Sequence, residues 1–213
     1  MTDVKTDAAI EIQANGPYVV TGSVPLVRIA RDRDEPSGWR VVETLEAGDE
    51  YWLCRCGGST EKPFCADVHL TNDFDGTEMA PADSYQDRAK ELGGGVLDDR
   101  SICGHASFCA NRVTNVWKAA KHLDEDAELK NTVYEMVRRC PSGALTLAID
   151  GELDPVTVAI EENGPIHVTG GVAVHRSDGQ SFETRNRVLL CRCGNSKNKP
   201  LCDGTHKEIG FVG

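Results

Sequence analysis

The stretch CRCGGSTEKPFCADVH, from Cys54 to His69, has a second copy, CRCGNSKNKPLCDGTH, from Cys191 to His206. In both copies the second cysteine follows two residues after the first, the third nine residues later, and the histidine four residues after that. Three thiols and one imidazole within so short a segment are typical of a four-ligand metal site. The sequence therefore predicts two equivalent metal sites, with the ligands Cys54, Cys56, Cys65 and His69 in the first and Cys191, Cys193, Cys202 and His206 in the second.

The ligand types narrow the choice of metal. Thiolates select zinc, copper(I) or iron-sulfur clusters, whereas calcium and magnesium prefer oxygen. Zinc and iron-sulfur both stay open on residue type, because structural zinc sites also use three cysteines and a histidine. The spacing favours iron, since one residue separates the first two cysteines of each copy, which is tighter than the usual zinc knuckle and suits two thiolates on one iron.

The composition limits the class of protein. The chain has 213 residues and a formal net charge of -11, and this acidity argues against sequence-independent binding of nucleic acid. It contains no apolar run of membrane-span length, and its start, MTDVKTDAAIEI, lacks the basic and apolar regions of a signal peptide. We therefore expect a cytoplasmic protein that does not bind membranes. Its nine cysteines fall into three groups of three, which favours metal binding over a disulfide framework.

The duplication extends upstream of the cysteines. Asn15-Gly16-Pro17 and Asn163-Gly164-Pro165 are turn signals, and each precedes a run of alternating β-branched residues, so each copy predicts strand, turn, strand. The copies lie 148 residues apart at the turn, from 15 to 163, and 137 apart at the first cysteine, from 54 to 191. The eleven additional residues of the first copy are expected in a longer hairpin loop around residues 31–38. The predicted units are a tail at 1–9 and repeats at 10–75 and 157–213.

A third unit is predicted between the repeats, at residues 96–151, after an acidic linker at 76–95. We expect a short strand near Val96, helices over 113–121 and 126–139, and a strand over 146–149. Its three cysteines are Cys103, Cys109 and Cys140, the last followed by a proline.

The paired motifs resemble the CDGSH (NEET) iron-sulfur domain. The second copy matches the pattern of that family throughout, at Cys191, Cys193, Ser196, Pro200, Cys202, Asp203, Gly204, Thr205 and His206. The resemblance implies one 2Fe-2S cluster in each motif, with the first two cysteines on the inner iron and the third cysteine and the histidine on the outer one. It also implies an α+β fold in which two repeats pair, with swapped strands, as a pseudo-two-fold β-cap. We therefore expect a monomer that is an intrachain pseudo-dimer.

The first copy departs from the family pattern. It keeps all four ligands but reads Ala66-Asp67-Val68 where the family has Asp-Gly-Ser or Asp-Gly-Thr. Ligation should survive, whereas the hydrogen bonds that support the outer ligands should differ, so we predict unequal potentials or stabilities for the two clusters. Arg55 and Arg192 lie between ligands, where they could tune the cluster charge or make ordinary solvent or strand contacts.

The middle unit resembles a divergent single-cluster 4Fe-4S ferredoxin-like domain. A standard ferredoxin loop spaces three cysteines as C-x2-C-x2-C before a remote Cys-Pro, and here the central position is Ala106. Three outcomes stay open: a 3Fe-4S cluster on the three thiols, a 4Fe-4S cluster whose fourth iron takes His105 or an exogenous ligand, or a degenerate unit that binds nothing. His105 could equally be a plain loop histidine.

These features favour electron transfer between redox partner proteins as the function. The first alternative is a donor of clusters to apo-acceptor proteins, or a redox or pH sensor. The second is a structural zinc protein. We expect no enzyme, because the sequence contains no phosphate loop, flavin fingerprint or substrate-pocket motif.

Overall fold

The regular secondary structure of the first repeat is almost entirely β-strand. The computed structural model describes residues 7–149, 151, 153–180 and 182–213. Asn15 takes a left-handed conformation, with φ of 50°, where the chain turns between the first two strands. The strands of this repeat are β1 (Ala9–Ile12), β2 (Tyr18–Thr21), β3 (Leu26–Arg31), β4 (Trp39–Leu45) and β5 (Glu50–Leu53).

The middle unit combines a three-stranded antiparallel sheet with helices. Its elements are β7 (Val96–Asp98), α2 (Val116–Ala119), α3 (Ala127–Arg138) and β8 (Leu145–Leu147), together with α1 (Tyr85–Arg88) and β6 (Lys90–Gly93), which lie in the predicted linker. Helix α3 begins after Asp126, whose carboxylate accepts hydrogen bonds from the backbone N–H groups of Glu128 and Leu129. Valines at 96, 133 and 137 are fully buried in the separate core of this unit.

One helix of the middle unit is shorter than the sequence predicts. The expected helix over 113–121 begins only at Val116, because the Asn115 side chain caps the backbone N–H of Lys118. After Ala119 the chain continues as a 3₁₀ turn, Ala120–His122. None of the helices in the described ranges has the length and apolar character needed to cross a membrane.

The second repeat repeats the strand order of the first. It comprises β9 (Thr157–Glu161), β10 (Ile166–Thr169), β11 (Ala173–His175), β12 (Arg187–Leu190) and a short helix α4 (Thr205–Glu208). Asn163 turns the chain between β9 and β10 with φ of 54°, as Asn15 does in the first repeat.

The two repeats exchange their third strands. β11 lies parallel to β1 at the edge of a sheet ordered β11-β1-β2-β5, and β3 lies parallel to β9 in a sheet ordered β12-β10-β9-β3-β4. Ile10 pairs with Val174 and Leu26 pairs with Val158, two pairings that the 148-residue offset makes equivalent. The fold is therefore α+β, with two repeats forming a pseudo-two-fold β-cap and the middle unit inserted between them.

A shared hydrophobic core joins the two exchanged sheets. Ile10, Val20 and Leu26 of the first repeat are buried in one cluster with Val158 and Val168 of the second. Burying a side chain of this size contributes about 1.5–3 kcal/mol. Neither repeat can bury these side chains alone, because each sheet contains a strand of the other repeat.

The additional residues of the first repeat form a hairpin whose loop, residues 32–38, lies where the sequence predicts a longer loop. The sequence did not predict the second strand of this hairpin, β4, which pairs antiparallel with β3 and extends the second sheet to five strands. The hairpin reaches the middle unit: Arg31 stacks 4.3 Å from the centroid of the Phe108 ring, and Trp39 meets the same ring edge-on at 5.5 Å. The insertion therefore holds the middle unit against the cap.

Candidate metal centres

Each cysteine-histidine motif follows the last strand of its repeat, β5 or β12, and folds back on it. The backbone N–H of Cys54 donates to the Pro63 carbonyl at 2.8 Å, and that of Cys191 donates to the Pro200 carbonyl at 2.8 Å. In the same way, the backbone N–H of Cys65 donates to the Trp52 carbonyl at 2.9 Å, and that of Cys202 donates to the Leu189 carbonyl at 2.8 Å. The fold-back therefore brings the third cysteine next to the first in both motifs.

Serine and lysine side chains close both loops. The hydroxyl of Ser59 donates to the Phe64 carbonyl at 2.7 Å, and that of Ser196 donates to the Leu201 carbonyl at 2.6 Å. Lys62 donates to the Ser59 carbonyl at 2.8 Å, as Lys199 does to the Ser196 carbonyl at 3.0 Å. These side chains hold the loop shape, which fixes the direction in which the cysteines point.

The donors of each motif lie as two pairs. Cys54 Sγ is 3.9 Å from Cys56 Sγ, and Cys65 Sγ is 3.6 Å from His69 Nδ1. The corresponding distances in the second motif are 3.7 Å between Cys191 and Cys193 and 3.3 Å between Cys202 and His206. In the described part of the chain, the four donor atoms do not all lie within 4.8 Å of one another in either motif. All nine cysteines lie in the described ranges and are free, so none is lost to a disulfide.

The second motif is buried more deeply than the first. Cys193, Cys202 and His206 are at most 5% exposed, whereas their counterparts Cys56, Cys65 and His69 are half-buried. Burial raises the pKa of Cys202 to about 12. Burial also lowers the pKa of His206, and the neighbouring Lys207 adds to that effect. Metal binding there must displace the proton of Cys202, while the imidazole is already neutral.

The two motifs also differ in the residues that support the outer pair. Asp203 accepts hydrogen bonds from the backbone N–H groups of Thr205, at 3.0 Å, and Lys197, at 2.8 Å. Ala66 stands at the position of Asp203 and offers no acceptor. Correspondingly, the second motif continues into helix α4, and the first forms only a 3₁₀ turn over Val68–Leu70.

The arginines between the ligands are buried and make backbone contacts. Arg55 donates to the Gly76 carbonyl at 2.6 Å, and Arg192 donates to the Gly164 and Gly213 carbonyls at 3.0 and 2.8 Å. Both residues are only 1% exposed, and burial lowers the pKa of Arg192 to about 10. The sequence showed their position between the ligands but not their burial, which depends on chain segments far from the motifs.

The two motifs touch each other across the pseudo-two-fold axis. Gly57 and Gly194 have φ of 78° and 79°. A Cβ on Gly57 would lie 2.5 Å from the Cys193 carbonyl oxygen, and a Cβ on Gly194 would lie 2.5 Å from that of Cys56. Glycine is therefore required at both positions, since any side chain would push the motifs apart.

The cysteines of the middle unit line a single cavity. Cys103, Cys109 and Cys140 border a space of about 90 Å³ together with His105 and Ala106. Burial raises the pKa of Cys109. The backbone N–H of Leu145 approaches Cys140 Sγ at 3.5 Å. The structure therefore brings the three predicted thiols to one place, and Ala106 supplies no fourth.

The loop that carries these cysteines packs against the second motif. A Cβ on Gly104 would lie 2.6 Å from the side chain of Leu189 and 3.4 Å from the Cys202 carbonyl oxygen. Lys207 donates to the His105 carbonyl at 2.6 Å, and Asn198 donates to the Ser101 carbonyl at 2.7 Å. His105 itself is exposed. The middle site therefore adjoins the second motif.

Three groups of soft ligands, placed on two kinds of domain, are typical of a protein that binds iron-sulfur clusters. The family described as iron-binding zinc finger of the CDGSH type matches residues 15–70 and 163–207, and the divergent 4Fe-4S mono-cluster family matches residues 95–150. The chain therefore contains two CDGSH-type iron-binding domains and a divergent 4Fe-4S mono-cluster domain inserted between them, as the resemblance implied. No curated protein sequence and no solved structure gives a significant match.

Proposed function

We propose that the protein binds one 2Fe-2S cluster in each CDGSH domain and a third cluster in the middle domain, and that it transfers electrons between redox partner proteins. Cys54 and Cys56 hold the inner iron of the first domain, and Cys65 and His69 hold the outer one. Cys191, Cys193, Cys202 and His206 take the same roles in the second. The protein acts as a monomer, since the second CDGSH repeat replaces a partner subunit, and it converts no substrate.

The arrangement of donors supports a binuclear group in each motif. A single tetrahedral zinc ion places its thiolate ligands roughly 3.8 Å from one another, so all four donors would lie close together. Here that spacing occurs only within each pair, for example 3.9 Å between Cys54 Sγ and Cys56 Sγ and 3.6 Å between Cys65 Sγ and His69 Nδ1. When bound, such clusters supply one-electron redox chemistry.

For the middle site we propose a cluster anchored by Cys103, Cys109 and Cys140. It is either a 3Fe-4S cluster or a 4Fe-4S cluster whose fourth iron takes His105 or an exogenous ligand. Both forms are compatible with three thiols and His105 on the wall of one cavity.

The observation that carries the proposal of electron transfer is the continuous backbone contact between the sites. Gly104, next to Cys103, packs on the carbonyl of Cys202, and Gly57, next to Cys56, packs on the carbonyl of Cys193. The contacts connect the middle site to the second motif and the second motif to the first. Both junctions are direct contacts between protein atoms, which suits electron exchange within one chain.

The test is iron and sulfide analysis with EPR on anaerobically purified protein during stepwise reduction. We expect two 2Fe-2S signals, a third cluster, and spin–spin broadening between the middle cluster and that of the second motif. Zinc without acid-labile sulfide would instead support the structural zinc protein. Clusters that reduce with no magnetic interaction and no exchange with a redox partner would contradict electron transfer.

A second candidate function is cluster donation, favoured by the exposure of the first motif. Cys65 and His69 are half-buried, so an apo-acceptor protein could reach the outer iron. Loss of the first cluster alone, matched by its appearance on an apo-ferredoxin acceptor, would favour donation. Retention of both clusters in the presence of that acceptor would exclude it.

A further inference from the structure

The first motif contains a donor that the second lacks. Asp67 stands where the second motif has Gly204, and its carboxylate oxygen lies 3.8 Å from Cys65 Sγ. Cys65 Sγ is in turn 3.6 Å from His69 Nδ1. In the described part of the chain, this is the one group of three or more metal-ligating side chains whose donor atoms all lie within 4.8 Å of one another.

These distances match a single metal ion. For a tetrahedral zinc with bonds of about 2.3 Å to sulfur and about 2.1 Å to nitrogen or oxygen, the sulfur lies about 3.6 Å from each of the other donors. The observed 3.6 and 3.8 Å from Cys65 Sγ are close to this value, and the Asp67 and His69 donor atoms lie within 4.8 Å of each other. One sulfur, one oxygen and one nitrogen together suit a divalent transition metal rather than calcium or magnesium.

Helix capping does not explain the Asp67 side chain. Asp67 precedes the 3₁₀ turn at Val68–Leu70 but makes no side-chain capping hydrogen bond. Its φ is 55°, a left-handed conformation that glycine adopts more easily and that the second motif fills with Gly204. The residue is exposed, so a fourth coordination position would face solvent.

We propose that Cys65, Asp67 and His69 form a mononuclear site for a divalent transition-metal ion, which the first motif holds when no cluster occupies it. Asp67 is the distinguishing ligand, and water completes the coordination. The second motif has no equivalent site, because Gly204 provides no donor. The first motif can therefore keep or receive a single ion in a state where the second motif keeps none.

The test uses the full-length chain with Cys54→Ala and Cys56→Ala, which removes the inner pair and leaves the three proposed ligands. Zinc is the probe, and binding is measured by equilibrium dialysis with metal analysis. We expect this variant to bind one more zinc ion per chain than the protein without the two substitutions. Adding Asp67→Asn should weaken the binding of that ion at least tenfold. X-ray absorption should show one sulfur ligand and otherwise nitrogen or oxygen.

The matched control is the chain with Cys191→Ala and Cys193→Ala, in which Cys202 and His206 remain beside Gly204. It should bind zinc at least tenfold more weakly than the first variant. Equal affinity of the two variants, no effect of Asp67→Asn, or two sulfur ligands per zinc would overturn the proposal. EPR signals from the clusters at the unmodified sites show that the chain is folded. If the alanine variant does not fold, Cys54→Ser with Cys56→Ser replaces it.

Discussion

The two CDGSH motifs have the same ligands and the same loop hydrogen bonds, yet they differ in what surrounds the outer pair. The second motif has Asp203 bonded to its helix, buried ligands, and the middle domain packed on Gly204. The first motif has Ala66, half-buried ligands and an exposed Asp67. Ligand spacing and supporting structure are therefore separate properties of a cluster site, because the two motifs share their ligand spacing and differ in their supporting structure.

The largest expected effect comes from breaking the contact that the motifs share. Gly57→Val or Gly194→Val should destabilise the protein by about 3 kcal/mol or more, because the new side chain meets backbone of the opposite motif. Thermal unfolding of the loaded protein measures the loss. Gly151→Ala is the control, since a Cβ there has nothing within 4 Å, and an equal loss in that variant would show that the contact has no special role.

Exchanging the supporting residue should make the motifs more alike. Asp203→Ala removes two hydrogen bonds to backbone N–H groups, each of which contributes about 0.5–1.5 kcal/mol, so we expect the second cluster to be lost to a chelator up to about tenfold faster. Ala66→Asp in the first motif is the reciprocal variant and should slow loss there. The decay of visible absorbance measures both rates, and unchanged rates in both variants would show that the Asp203 hydrogen bonds do not stabilise the cluster.

Acid should separate the two clusters. An imidazole must be neutral at the coordinating nitrogen, so ligation is present at high pH and is lost as the pH falls. Burial lowers the pKa of His206 below its ordinary 6.5, and the half-buried His69 is open to solvent. The first cluster should therefore be lost at a higher pH than the second. EPR measures the loss, and the variants His69→Cys and His206→Cys assign each signal to its cluster. Simultaneous loss would contradict this order.

The smallest expected effect concerns a hydrogen bond that crosses from one repeat to the other motif. Tyr18 donates to the Cys191 carbonyl at 2.8 Å, and Ile166 stands at its equivalent position in the second repeat. Tyr18→Phe should cost about 1 kcal/mol and shift the potential of the second cluster alone. Tyr51→Phe, which loses a bond to the Val24 carbonyl, is the control. A shift in the potential of the first cluster instead would show that the Tyr18 hydrogen bond does not act on the second cluster.

The sequence predicts those features that depend on local spacing. The ligand sets and the turns at Asn15 and Asn163 follow from the motifs, the pairing of the repeats follows from the family resemblance, and the helix over 126–139 follows from its apolar pattern. It did not predict β4, because this strand is largely exposed and its residues do not alternate between apolar and polar. The burial of Arg55 and the packing of Gly104 on Cys202 were not predicted because they depend on contacts between remote segments.

The exchange of strands has a consequence for the order in which the protein is made. Ala9 in β1 pairs with Ala173 in β11, so the edge of the first sheet stays open until the third strand of the second repeat has left the ribosome. Closing so long a loop carries an entropic cost, and an unpaired edge invites association with other chains. The middle domain has its own core and can fold during that interval. The first motif, although synthesised first, can reach its final surroundings only when the last repeat arrives.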